Sequence, residues 1–121
     1  MYQIEKSFTF EAGHRLCHHD GKCQNPHGHS YKMTVTLRLE DLIKEGPKRG
    51  MVMDYGDISK IVKPMIEKFL DHHWLNDTLN SESTTAEFIA KWVYDYLLPF
   101  MPQLYSVSIN ETETSKATFF Q

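Results

Sequence analysis

The chain is poor in cysteine, has no long apolar run and carries no excess of basic residues, and each shortage removes a class of function. Only two cysteines occur in 121 residues, too few for a disulfide-built scaffold. They read as free thiols of a reducing compartment rather than as a Cys17–Cys23 bridge. No segment approaches the roughly 20 consecutive apolar residues of a membrane-spanning helix. Lys and Arg number 13 against 16 Asp and Glu, for a net charge of −3, and no long basic run exists to hold nucleic acid. Repeats, low-complexity stretches and linkers are missing too, so residues 1–121 are expected to form a single domain. The first residues enter a patterned strand at once, without a signal-peptide pattern, which predicts a cytoplasmic protein.

What the chain does have is histidine, and it is concentrated. The stretch HRLCHHDGKCQNPHGH, from His14 to His29, holds five of the seven histidines and both cysteines. Upstream of it the even positions Tyr2, Ile4, Lys6, Phe8, Phe10 and Ala12 alternate with polar odd positions, the pattern of a half-buried strand over about 2–13 with Lys6 as its one misfit. His14 ends that apolar face. Downstream, His27 and His29 begin the stripe that continues through Tyr31, Met33, Val35, Leu37 and Leu39, in a strand over about 28–41. If the two strands pair antiparallel across residues 15–26, the three imidazoles meet at one end.

Three neutral imidazoles suit Zn²⁺, and three protein ligands leave the fourth tetrahedral position open for water or substrate, the catalytic rather than the structural pattern. A lone histidine beside a turn is an ordinary polar residue, whereas three that close two core stripes point to a metal. His18 and His19 lie in the loop and are expected to be solvated.

EGPKRG (45–50) reads as a turn with Lys48 and Arg49 at a solvated tip, and Met51–Met53 as a short returning strand. Asp54 is placed to cap a helix bearing the apolar stripe Ile58, Ile61, Val62, Met65, Ile66, Phe69 and Leu70, kinked at Pro64 and ending near Asp71, His72 and His73. TTAE (84–87) reads as a capping box on Thr84, opening a second helix whose stripe is Phe88, Ile89, Trp92, Val93, Tyr96 and Leu97. Strands follow with Tyr105, Val107, Ile109 and Glu111 on one face, and then over about 116–120. The order ββααββ predicts an α+β fold, an antiparallel four-stranded sheet with two helices on one face and open edges that assembly of subunits would cover.

Several residues are placed for chemistry. Cys23 lies four residues before His27, where a nearby cation would favour its thiolate; base, nucleophile and fourth ligand all remain open for it. Asp71 and His72 form a carboxylate–imidazole pair only if the helix ends there, and a histidine at a helix C-terminus has a purely structural use as well. Glu111 extends an apolar stripe, where a carboxylate costs desolvation unless it meets donors. Thr85 and Glu87 lie nearby, although helix capping accounts for both.

With these residues in view, the chain resembles the 6-pyruvoyl-tetrahydropterin synthase family, and within it the bacterial 6-carboxy-5,6,7,8-tetrahydropterin synthase branch of queuosine biosynthesis. The resemblance covers essentially the whole chain through FTFEAGHRL (8–16), CQNPHGHSY (23–31), MDYGDI (53–58), LDHHWLND (70–77), TTAEFIAKW (84–92) and NET (110–112). It implies the tunnelling fold, in which subunits join sheets edge to edge into a barrel, as a homo-oligomer (hexamer or tetramer) with active sites at subunit interfaces. It also implies zinc on His14, His27 and His29, and Cys23 as the proton-abstracting residue. Asp71 and His72 would be a second acid–base element contributed by a neighbouring subunit. Glu111 would grip the pterin's amino-pyrimidine edge, and Thr85 would touch the pterin. The implied reaction converts 7,8-dihydroneopterin triphosphate into 6-carboxytetrahydropterin, acetaldehyde and triphosphate. Cys17 stands where relatives often carry proline and Glu113 where bacterial relatives often carry cysteine. The C-terminus is short of basic residues, which leaves the triphosphate anchor unassigned.

The nearest rival is the 6-pyruvoyl branch, which eliminates triphosphate without breaking a carbon–carbon bond and usually spaces its cysteine further from HGH. A folate-pathway relative would carry glutamate in place of the thiol. A cupin-type oxygenase would need a glutamate soon after His29, and residues 30–36 contain none. A non-catalytic structural zinc domain would close its site with a fourth ligand.

Overall fold

A computed structural model describes residues 1–121. Strand β1, Tyr2–His14, pairs antiparallel with β2, His27–Leu39, in an unbroken ladder from Tyr2 opposite Leu39 to His14 opposite His27. Helix α1 spans Tyr55–Met65 and runs into a π-helical turn at Ile66–Leu70, followed by a four-residue α2, Leu75–Thr78, and then α3, Ala86–Leu97. Strands β3, Leu104–Thr112, and β4, Ser115–Phe120, complete one antiparallel sheet in the order β1-β2-β3-β4. The expected α+β architecture holds, with a third, short helix added to the two long ones. No helix is long and apolar enough to cross a membrane.

The core lies between one sheet face and the helices. Phe8, Phe10, Tyr31, Met33, Val107 and Ile109 come from the sheet, and Ile58, Val62, Met65, Ile89, Val93 and Leu97 from the helices. Burial of such side chains is worth about 1.5–3 kcal/mol each. In α3 the buried face is Ile89, Ala90, Val93, Tyr94 and Leu97. Phe88, Trp92 and Tyr96 of the expected stripe are only partly buried. Trp92 stacks on Tyr96 at 5.4 Å, and both meet Phe69 edge-on at 5.1 and 5.5 Å, an aromatic seam beside the core.

Two local expectations change. Met51–Met53 forms no strand: it lies in a tight loop where Gly50 N–H donates to the Ile43 carbonyl (2.8 Å) and Ile43 N–H to the Met51 carbonyl (3.0 Å). Lys48 is not merely solvated. It reaches Asp54 at 2.6 Å and Asp57 at 3.5 Å, while Asp54 caps α1 by accepting from Gly56 N–H. Pro64 lies inside α1, and the ladder widens two residues later, so that Asp71 N–H reaches back five residues to the Ile66 carbonyl (2.8 Å).

Candidate metal centre and active site

Alternation along a strand puts every second side chain on one face. His14 stands directly across from His27, and His29 across from Ala12, so all three rings leave the helix-covered face where the apolar stripes run out. Their centroids are 4.5 Å (His14–His27), 5.2 Å (His14–His29) and 5.0 Å (His27–His29) apart. Three of their nitrogens lie within 4.8 Å of one another. The edge of a tetrahedral zinc site with Zn–N bonds of about 2.1 Å is about 3.4 Å, a difference that small ring rotations close. Neither cysteine joins this cluster, so it is a three-ligand set.

The protonation pattern follows from the partners. A carbonyl only accepts, so His14 Nδ1–H donates to the Thr84 carbonyl (2.8 Å), and His27 Nδ1–H donates to the Asn25 carbonyl (2.8 Å). That tautomer leaves each Nε2 with a free lone pair, the arrangement by which proteins aim histidines at metals. His14 is fully buried, and its Nε2 has no partner. Burial also holds its pKa below the ordinary 6.5 and so keeps the ring neutral. His29 Nε2 is buried without a hydrogen bond and sits 3.3 Å from Glu111 Oε2. Buried polar atoms without partners cost about 1–3 kcal/mol each, and a divalent cation would satisfy both. The donor set therefore fits a metal ion. Tyr31 backs it: the phenol is fully buried, its oxygen lies 3.4 Å from His14 Nδ1, and burial keeps it protonated.

The Asp71–His72 pair forms as the helix ending predicts, with His72 Nδ1 3.0 Å from Asp71 Oδ2. It is held on the outer edge of β1. Glu11 N–H donates to Asp71 Oδ1 (2.9 Å), the Glu11 carbonyl accepts from His72 N–H, and Gly13 N–H donates to the His73 carbonyl (3.2 Å). These donors, Glu11 N–H first and His72 second, hold the Asp71 carboxyl below its usual pKa range. His72 adopts φ 58°, a left-handed conformation rare outside glycine. His72 and His29 line the same cleft of about 570 Å³, walled by Trp74 and floored by the opposed pair Gly13 and Gly28.

The remaining candidates are more dispersed. Cys23 is half-buried in a 3₁₀ turn, Lys22–Gln24, that is tied back across the strand ends by Leu16 N–H to its carbonyl (2.8 Å). Both cysteines are free thiols. His18 is exposed and pairs with Glu82 at 2.8 Å. Glu111 stands between His29 and a second cleft of about 310 Å³ lined by Glu87 and Lys116. The expected capping box is shifted by one residue: Thr85, not Thr84, caps α3 by accepting from Phe88 N–H (3.1 Å). Glu87 consequently has no box to close. Thr84 instead turns inward, fully buried, with its carbonyl and hydroxyl both on His14. Thr84 and Trp74 are the two site residues that pattern reasoning missed. Two adjacent threonines at a helix start offered the only signal for the first, and none marked the second.

Comparison with known proteins agrees with this geometry. The family described as 6-pyruvoyl tetrahydropterin synthase matches residues 3–121. A 6-carboxy-5,6,7,8-tetrahydropterin synthase of Synechocystis sp. is 43% identical, over 99% of this chain and 94% of that one. One of the same name from Haemophilus influenzae is 39% identical, over 80% of this chain and 82% of that one. The 6-pyruvoyl tetrahydropterin synthase of Caenorhabditis elegans superposes with a TM-score of 0.83 at 29% identity, over 99% of this chain and 95% of that one.

Proposed function

Because the chain belongs to the 6-pyruvoyl tetrahydropterin synthase family, we propose that it is a 6-carboxy-5,6,7,8-tetrahydropterin synthase. It is a lyase taking 7,8-dihydroneopterin triphosphate to 6-carboxytetrahydropterin, acetaldehyde and triphosphate, in the cytoplasm, on the queuosine route. The observation that carries the chemistry is the cluster of three imidazoles, with two backbone carbonyls fixing two of the rings and buried Nε2 atoms left without partners. Relatives bearing the 6-carboxy name across nearly the whole chain support that branch.

Zinc held by His14, His27 and His29 would supply Lewis acidity toward the hydroxyls of the substrate side chain. The other steps fall to the chain's own groups. Cys23, as thiolate, takes a proton from the side chain, and His72, oriented by Asp71, moves a proton on the opposite side. Glu111 accepts paired N–H donors from the amino-pyrimidine edge, a charge-assisted contact that fixes the ring. Thr85 spends an oxygen lone pair on its cap, which leaves its hydroxyl proton to donate to the pterin. His72 is 78% exposed in the single chain, and the outer edges of β1 and β4 are unpaired over much of their length. Both features suit a homo-oligomer, hexamer or tetramer, in which a neighbour extends the sheet and closes the site.

Incubation of the metal-loaded protein with 7,8-dihydroneopterin triphosphate tests this assignment. Acetaldehyde should appear in step with 6-carboxytetrahydropterin. Accumulation of 6-pyruvoyl-tetrahydropterin without acetaldehyde would place the chain in the 6-pyruvoyl branch instead.

A further inference from the structure

Lys6 is the one residue that interrupts the apolar stripe of β1, and nothing in the metal centre uses it. It is half-buried, with Nζ 5.9 Å from the centroid of Phe8 and no carboxylate against it. It lines a cleft of about 690 Å³ that wraps the outer edge of β1, with Lys32 entering from β2, Lys63 from α1, and the hydroxyls of Ser7 and Thr9 between them. The acidic groups on this cleft are Glu67 and Asp71, and Asp71 is already engaged by Glu11 N–H and His72. None of the three lysines makes a salt bridge or a side-chain hydrogen bond, in contrast to Lys48 and Lys91. Three uncompensated ammonium groups on one concave surface repel one another and concentrate anions.

The position of this cleft fits a ligand that also occupies the metal centre. Asp71 walls the lysine cleft while its neighbour His72 walls the cleft containing His29. Lys32 is three residues from His29 along β2, about 10 Å of strand, comparable with the length of an extended triphosphate. Lys32 is also the direct cross-strand partner of Thr9. A single row of the ladder, Phe10 opposite Tyr31, separates the two clefts, and the next row, Glu11 opposite Ser30, already lines the second.

We propose that the Lys6–Lys32–Lys63 cleft is a polyphosphate subsite, which holds the triphosphate tail of the substrate and the inorganic triphosphate that leaves. The identity of the ligand rests on the proposed function; the affinity of the cleft for polyphosphate does not. Calorimetric titration of the metal-loaded protein with sodium tripolyphosphate tests it directly. Wild type should bind, with affinity falling as salt rises. Lys6→Met, Lys32→Met and Lys63→Met should each weaken binding on the order of tenfold, the scale of one lost hydrogen bond to a charged group. Lys44→Met, in a distant exposed loop, should change nothing, and Lys6→Arg should keep the affinity if loss of the Lys6 stem proves unfolding. In turnover, the three Met variants should raise KM by similar factors and leave kcat nearly intact. Absence of tripolyphosphate binding to wild type, or equal binding by all three Met variants, overturns the subsite even if the protein is an active lyase. Lysine-dependent tripolyphosphate binding without pterin turnover upholds the subsite and removes the proposed function instead.

Discussion

Replacing His14 with phenylalanine should be nearly neutral without metal and destabilising with it. In the metal-free protein the substitution gives up the Nδ1–H bond to the Thr84 carbonyl at 2.8 Å and leaves that buried acceptor without a donor, at a cost of about 1–3 kcal/mol. It also removes Nε2, buried with no partner, whose desolvation costs about 1–3 kcal/mol. The two nearly cancel, so the chelated variant should lie within about 1 kcal/mol of chelated wild type. Free metal at about 100 times its dissociation constant adds about 2.7 kcal/mol to wild type, and far less to a chain with one ligand missing. Unfolding entropy near 2.1 cal/mol/K per residue over 121 residues gives about 0.25 kcal/mol/K. The metal increment is then about 10 °C in melting midpoint. Thermal melts in chelator and in excess Zn²⁺, for both proteins, measure all four states. A wild-type midpoint indifferent to metal would refute the reasoning. So would a chelated variant melting some 10 °C below chelated wild type, because that drop would mean that the ring is fully satisfied as an ordinary core residue.

Three further outcomes follow from the same contacts. Cys23→Ala should retain metal by elemental analysis, since the thiol lies outside the nitrogen cluster, yet lose nearly all acetaldehyde release; equal activity would remove Cys23 from the reaction. Asp71 has a native pKa below its ordinary 3.8, so its contribution to stability is complete above that value and fades as pH falls through the lower native one. Asp71→Asn should therefore be less stable than wild type at neutral pH, with the gap narrowing as pH falls below the ordinary carboxylate value and through the lower native one, and a gap by circular dichroism that stays constant on acidification would contradict the hydrogen bonds assigned to Asp71. A Cβ on Gly13 would lie 3.2 Å from the Trp74 ring and 3.3 Å from the His27 carbonyl. Gly13→Ala should thus shift the 71–74 segment by a few tenths of an ångström and lower kcat by on the order of tenfold, whereas a change confined to KM would uncouple that segment from proton transfer.

The three-histidine cluster was legible because it depends only on side-chain period. Once Tyr2–His14 and His27–Leu39 alternate, the facing of His14, His27 and His29 follows, and the hairpin register brings them together. The α1 cap at Asp54 was equally local. What escaped is tertiary. Thr84 and Thr85 are indistinguishable as cap residues, and the choice falls to Thr85 because His14 recruits Thr84 from another element. Helix α2 is four residues long, too short to show a period of 3.6. Met51–Met53 alternates with nothing to pair against. The sequence marked Asp71 and His72 as possible partners, but their attachment to the edge of β1 uses backbone groups, which carry no residue-type signal.

One strand thus sets two pieces of chemistry in independent ways. The side chain of His14 leaves the face of β1 toward His27 and His29, whereas the backbone of Glu11 and Gly13 leaves its edge toward Asp71, His72 and His73. Face and edge are perpendicular directions of the same rigid element, so the imidazole cluster and the carboxylate–imidazole pair hold a fixed separation without contacting each other. The arrangement is sensitive to count rather than to composition. Inserting one residue between Glu11 and His14 would send His14 to the opposite face but leave the Glu11 backbone groups that hold Asp71 and His72 in place, so the cluster would be lost and the pair kept. The lysine cleft lies further along the same edge, at Lys6–Thr9. An extended ligand laid along β1 therefore meets cluster, proton pair and ammonium groups in a sequence dictated by one strand.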